Sequence, residues 1–230
     1  MIANLQAYQH YQKTQDFASW RYIDRNMNRI SVDVDTDTSE YKRLVELTPL
    51  LQSCDYHIDI HSTTQSPSSM AIYTDKSADE WSEKLNVDDH YINLIKQQRG
   101  KPFISICEDA WGVWIWLETG LQTDTSAYNT GVENGENILH SLWMIAKYND
   151  SIKKPSKDNL RISIYRSIIV PKNWIFTLKE NRSHKQIVEE GAVLWYIDGE
   201  PVKVHKLTYI VLPSSHLYPG EEYCFLGEVI

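Results

Sequence analysis

Apolar residues recur at helical spacing in the first third of the chain. Tyr41, Leu44, Val45, Leu47, Leu50 and Leu51 fall on one stripe, interrupted only by Pro49. Asp37, Thr38 or Ser39 supplies a capping oxygen just before it. From Asp55 to His61 polar and apolar residues alternate, which predicts a strand. Met70 to Thr74 predicts another strand, Ser77 to Lys84 a helix, and Asp88 to Gln98 a second helix stopped by Gly100. Pro102 to Cys107 reads as a buried strand, and Leu5 to Ser19, rich in Gln and Tyr, as loop with some helix. Thr123 to Asn129 is turn-like. The segment Thr130-Gly-Val-Glu133-Asn-Gly135 then leads into a helix whose apolar stripe is residues 138, 139, 142, 143, 145 and 146.

The pattern changes at Ser151 to Asn159, which holds three Lys, one Pro and no aromatic residue and reads as a linker. Beyond it strands are predicted at Arg161–Val170, Trp174–Leu178, Ala192–Ile197, Pro201–Val204, Thr208–Leu212 and Tyr223–Val229. Asp198-Gly199 and Pro219-Gly220 mark turns between them. The expected organisation is an α/β domain over residues 1–155 and a β-rich C-terminal domain over 156–230.

Composition narrows the function classes. With 42% apolar and 23% charged residues, the 230-residue chain is expected to be an ordinary globular protein with a real core. A formal charge of −8 argues against binding nucleic acid through its phosphates, though a local Arg cluster can still hold a small anion. No apolar run is long enough to span a bilayer and no signal-peptide pattern opens the chain, so no membrane association is expected. Cys54, Cys107 and Cys224 are scattered and odd in number, which fits a reducing cytoplasm, and no Cys-x-x-Cys offers a thiolate metal site.

Three clusters carry candidate chemistry. His61 ends the alternating strand and runs into Ser62-Thr63-Thr64, at the kind of strand end where α/β sheets bind ligands, so it is a candidate zinc ligand. His57 cannot join it on one ion, since four residues of extended strand span about 13 Å. Arg21, Arg25 and Arg29 place three guanidinium groups within nine residues, either an anion clamp or a solvated loop. Trp111, Trp114 and Trp116 are core packing or a wall for a ligand. The Trp-rich segment and the C-terminal β domain each offer a surface for covering a pocket or for forming an oligomer.

The stretches Arg21-Tyr-Ile-Asp-Arg-Asn-Met-Asn28-Arg29 and Asp59-Ile-His61-Ser-Thr-Thr64 together resemble the succinylglutamate desuccinylase/aspartoacylase family. Thr130 to Gly135 is similar to the family segment that carries the catalytic glutamate. Pro213-Ser-Ser-His-Leu-Tyr-Pro-Gly220-Glu221 resembles the closing segment of its C-terminal β domain. The matches keep the family's order over nearly the whole chain. The resemblance implies a carboxypeptidase A-like mixed sheet with flanking helices, a small C-terminal all-β domain, and zinc (Zn) as cofactor. It implies a small-molecule substrate, an acidic N-acyl amino acid, whose amide bond is hydrolysed. By the same resemblance His61 would be the third zinc ligand and Glu133 the general base and then acid. Arg21 would stabilise the oxyanion, and Asn28 and Arg29 would hold a substrate carboxylate. Asp59, two residues before His61, would be its hydrogen-bonding support.

The chain also departs from the family pattern. The first two zinc ligands of the family come from a His-x-x-Glu motif upstream of the Asn-Arg stretch, and none of the eight histidines here is followed by Glu at the third position. Asn4 resembles the Asn that ends the family's second strand, which would place that motif before the present start, and Asn26 replaces an acidic residue common in the family. Two readings therefore follow. One is a zinc-dependent deacylase; the alternative is a metal-free, catalytically dead remnant or anion-binding protein.

Overall fold

A computed structural model describes residues 4–15, 22–30, 36–63, 66–74, 77–97, 112–146, 159–214 and 216–230, with the side chains of Arg29 and Ser77 outside that set. The strand expected at Pro102–Cys107, Trp111, Arg21 and nearly all of the expected linker lie outside the described residues. The chain divides into two compact units. The first comprises Met1–His57 and Arg99–Trp114, the second Ile58–Gln98 and Ile115–Ile230.

In the first unit, helix α1 spans Leu5–Thr14, where loop with some helix was expected. Its Leu, Gln, Ala and Lys lose little rotamer freedom in a helix. Asn4 caps it by accepting a hydrogen bond from the Ala7 N–H at 3.2 Å. Helix α2 runs over Ser39–Gln52 and continues past Pro49. Thr38 is its cap, its hydroxyl accepting from the Tyr41 N–H at 3.1 Å. Leu44, Leu47 and Leu51 are buried, while Val45 and Leu50 are exposed, so the packed stripe is narrower than the one read from spacing.

The second unit is built on an eight-stranded sheet of order β1-β4-β2-β3-β5-β11-β10-β7. Strands β2 (Met70–Tyr73) and β3 (Asp89–Ile92) pair in parallel near its middle, and β3 pairs in parallel with β5 (Leu160–Ile169). This corrects the helix expected over Asp88–Gln98, of which only one turn, α4 (Leu94–Gln97), is helical. Hydrogen bonding on both sides, with Asp89, His90 and Tyr91 all buried, overrides the local spacing. Helix α3 covers Ser77–Ser82.

Strand β4 (Val113–Leu121) pairs antiparallel with β2 and has no counterpart among the expected strands. It is buried almost throughout, so it shows no alternation to read. Helix α5 (Thr125–Ser141), capped by Asp124 on the Ser126 N–H at 2.8 Å, starts well before Ile138. It also ends before four of the six residues of the expected stripe, 142, 143, 145 and 146. Trp143, in a left-handed conformation with φ 58°, lies past its end and is 92% exposed.

The expected C-terminal strands are present, and Gln186–Val188 forms a further one with no counterpart among them. Strands β5, β11 (Glu222–Val229), β10 (Thr208–Val211) and β7 (Gln186–Val188) continue the main sheet as antiparallel neighbours. Strands β6 (Phe176–Leu178), β8 (Val193–Ile197) and β9 (Glu200–Lys203) form a separate antiparallel sheet. Ile168, Leu194, Trp195, Ile210 and Tyr223 anchor the core between these strands. The whole is a mixed α/β fold with one large mixed sheet, few helices and one small antiparallel sheet.

Candidate active site on the edge strand

Among the described residues, strand β1 (Tyr56–Thr63) ends the sheet, with β4 beside it. Successive side chains on a strand point to opposite faces, so two contacts are enough to orient both strands. A Cβ placed on Gly131 of α5 would touch the methyl groups of Ile60 and Thr119, at 3.6 and 3.5 Å. Ile60 and Thr119 therefore face α5, and their neighbours His61 and Glu118 face the other way. Ring contact confirms this, because the Trp116 and His61 centroids lie 5.0 Å apart and Trp116 is two residues from Glu118. The two strands are tied at this level by the Thr119 hydroxyl, which donates to the His61 carbonyl at 2.9 Å.

Asp59 shares the His61 face by the same alternation, and its Oδ2 lies 3.0 Å from His61 Nε2. The support expected of Asp59 is thus present as a contact. A carboxylate on Nε2 accepts a hydrogen bond from the ring there and fixes the plane of the imidazole. The side chains of His61 and Asp59 are partly exposed, whereas Trp116 and Glu118 are buried. The arrangement is an oriented imidazole at a solvent-reachable edge, with an aromatic wall and a buried carboxylate on the same face. His57 belongs to the first unit and is buried with its Nε2 3.1 Å from the Cys54 carbonyl oxygen. Burial lowers its pKa below the ordinary histidine value, and the Cys54 carbonyl partly offsets that.

Glu133 lies in the middle of α5, where its Oε1 accepts from Asn86 Nδ2 at 2.8 Å. Gly131 of α5 lies against the Ile60/Thr119 face, opposite to the His61 face, and the contact shown for the Glu133 carboxylate is with Asn86. Glu118 is the carboxylate that the structure places on the His61 face, and sequence reasoning missed it. The available signal was a lone Glu inside the run Trp114-Ile-Trp-Leu-Glu118-Thr-Gly-Leu121, since a carboxylate is seldom buried without a task.

In the first unit, Asn28 and Arg29 belong to a short 3-10 turn, Met27–Arg29. Asn26 caps it, its Oδ1 accepting from the Asn28 N–H at 3.0 Å, and Asn28 itself is buried. A second missed residue lies beside this stretch. Glu40 in the first turn of α2 is fully buried and accepts hydrogen bonds from the Ile23, Asp24 and Arg25 N–H groups and from Asn4 Nδ2. Its only sequence signal, an acid near a helix start, has a more ordinary explanation in the helix dipole.

A catalytic zinc usually needs three protein ligands. Asp59 and His61 are two donors, and no group of three His, Cys, Asp or Glu side chains suited to a metal occurs among the described residues. The described donor set by itself does not fit a zinc ion. No helix among the described residues is long and apolar enough to cross a membrane.

No protein-family model matches the chain, and no curated protein is significantly similar in sequence. Solved structures are similar in architecture. Succinylglutamate desuccinylase from Vibrio parahaemolyticus superposes with a TM-score of 0.70 at 15% identity, over 100% of this chain and 70% of that one. A succinylglutamate desuccinylase/aspartoacylase from Rhodobacter sphaeroides gives 0.62 at 13% identity, over 90% of this chain and 68% of that one. The product-bound ectoine utilization protein EutE (DoeB) from Ruegeria pomeroyi gives 0.61 at 14% identity, over 88% and 67%. The fold of this chain is that of the succinylglutamate desuccinylase/aspartoacylase proteins.

Proposed function

We propose that the chain is a deacylase that hydrolyses the amide bond of an N-acyl acidic amino acid. The single observation that carries the reading is the buried Glu118 on the face of the oriented His61, in the fold of proteins named for such substrates. Glu118 takes a proton from the water that attacks the acyl carbonyl carbon. When the carbon–nitrogen bond breaks, the same proton passes to the leaving amine, giving a free carboxylic acid and an amino acid. Asp59 holds the His61 ring in place throughout.

Zinc is the proposed cofactor with His61 as one ligand, and further ligands would come from outside the described residues. Arg21 as the oxyanion partner, and Asn28 with Arg29 as the grip on the substrate carboxylate, belong to the proposal on the resemblance of their stretch. A cytoplasmic location is part of it too, supported by the free thiols of Cys54 and Cys224.

The test is amine release from N-acetyl-L-aspartate and N-succinyl-L-glutamate, with zinc content measured by plasma mass spectrometry. Glu118→Gln is expected to cut turnover by about two to four orders of magnitude, and Glu133→Gln to leave it within about threefold. The reverse pattern would return the proton transfer to Glu133. One zinc per chain, lost in His61→Ala, is the expected metal result. A folded chain that holds no zinc and turns over neither substrate would support the anion-binding alternative.

A further inference from the structure

We infer that Glu40 is a positioning residue for the Asn28–Arg29 turn, the element that sets how tightly the chain grips a small carboxylate. The inference deepens the proposed role of that turn and rests on it. The Glu40 carboxylate is fully buried, and four N–H donors converge on it. Oε1 accepts from the Ile23 N–H at 2.6 Å and from Asn4 Nδ2 at 3.1 Å. Oε2 accepts from the N–H groups of Asp24 and Arg25, both at 3.1 Å. Three successive backbone N–H groups aimed at one anion form a concave bend, and here the anion is part of the chain.

The bend is tied a second time, because Asp24 Oδ2 accepts from the Ser39 N–H at 2.8 Å at the start of α2. Asn26 follows directly and caps the turn that carries Asn28 and Arg29. An unbroken chain of bonds therefore runs from α2 through Glu40 and the 23–25 bend to the Asn26 cap. The backbone of Asn28 and Arg29 stands where these bonds put it.

Four donors require four acceptor positions and no donor in return, which among side chains of this length only a carboxylate offers. Glutamine keeps the shape but turns an NH2 group toward two of the N–H donors. Glu40→Gln should therefore loosen the bend while leaving α2 and its core in place.

The test is calorimetric titration of the full chain with N-acetyl-L-aspartate, well below the melting temperature, for wild type, Glu40→Gln, Asn26→Ala and Arg29→Leu. Glu40→Gln is expected to weaken binding at least tenfold, and amide exchange at Asp24 and Arg25 to quicken at least tenfold while Ile210 keeps its wild-type rate. Asn26→Ala removes the last link without touching the buried carboxylate and is expected to weaken binding about fivefold. It decides the matter if Glu40→Gln does not fold. A purely structural Glu40 would lower the melting temperature and leave the affinity of the folded protein within threefold of wild type, which overturns the inference. Loss of affinity in Arg29→Leu alone does the same. If Arg29→Leu binds like wild type, or wild type does not bind the probe, the carboxylate grip itself fails and takes this inference with it.

Discussion

The polar residues of this chain divide into groups that hold backbone and groups that face the reaction, and neighbours in sequence can belong to different classes. Glu133 and Asn134 illustrate the first. Asn134 is buried, accepts from the Asn86 N–H at 2.6 Å and donates to the Asn86 and Thr130 carbonyls at 3.2 and 2.9 Å. It satisfies both backbone groups of a single residue in the connection before β3. Asn134→Leu would leave both without a partner in a buried setting, at a cost of about 2–4 kcal/mol. Urea unfolding measures this, and a loss below about 1 kcal/mol would mean that water replaces the amide without penalty. The segment Thr130–Gly135 attracts attention in the sequence because it is similar to the family segment that carries the catalytic glutamate. In the fold its polar side chains serve the joint between α5 and the Asn86 turn. Asp59 shows the opposite outcome: spacing of two on a strand was enough to place it beside His61, and the 3.0 Å contact is there.

Secondary structure was legible in most elements with one wet face, although β7 was missed and α1 was only partly read as helix. Strand β1 alternates, α2 carries its stripe, and six C-terminal strands are visible between their turns. Among strands buried on both faces the outcome was mixed: β2 was expected, β4 escaped notice because its inward and outward positions are both apolar, and the polar start of β3 at Asp89-His90 was read as helix. Close packing between strands leaves a mark at Gly227 of β11. A Cβ there would collide with Ile162 Cγ2 and stand 2.9 Å from Ile164 Cδ1 and 3.1 Å from the Ser163 carbonyl oxygen. The two isoleucines are buried, and the β5–β11 register already shifts between Leu226 and Gly227. Gly227→Ala should force these strands apart and cost about 1–3 kcal/mol, read from the denaturation midpoint. A neutral outcome would show that the Ile162 side chain has another rotamer open to it.

At the scale of the whole molecule, two neutral histidines link stability to pH. His184 Nδ1 accepts from the Leu212 N–H at 3.1 Å, so its proton is on Nε2, 3.1 Å from the Tyr91 hydroxyl. Burial pushes its pKa down to about 4, helped by the neighbouring Lys185 charge. Burial likewise pushes His90 down to about 4, with Arg161 adding to the shift and Asp79 opposing it. Both rings are neutral when folded and have an ordinary value of about 6.5 when unfolded. The unfolded chain thus takes up protons first on acidification. Stability from these rings is fully present above about pH 6.5 and is lost as the pH falls toward 4, by about 2–3 kcal/mol for each ring. Urea unfolding at pH 7.5 and 4.5 tests the loss, and ring resonances that titrate near 6.5 in the folded protein would refute it.

The sequence by itself determined the local periods, a cap within Asp37–Ser39, the strand that carries His61 and the class of fold, because each is written within one turn or a few residues of chain. Only the tertiary structure decided which carboxylate stands with His61 and which anion shapes the Asn28–Arg29 stretch. The face on which a side chain emerges depends on what covers the other face. For Glu118 that is set by α5 lying against Ile60 and Thr119, and for Glu40 by a bend folding back over α2, neither of which any local pattern records.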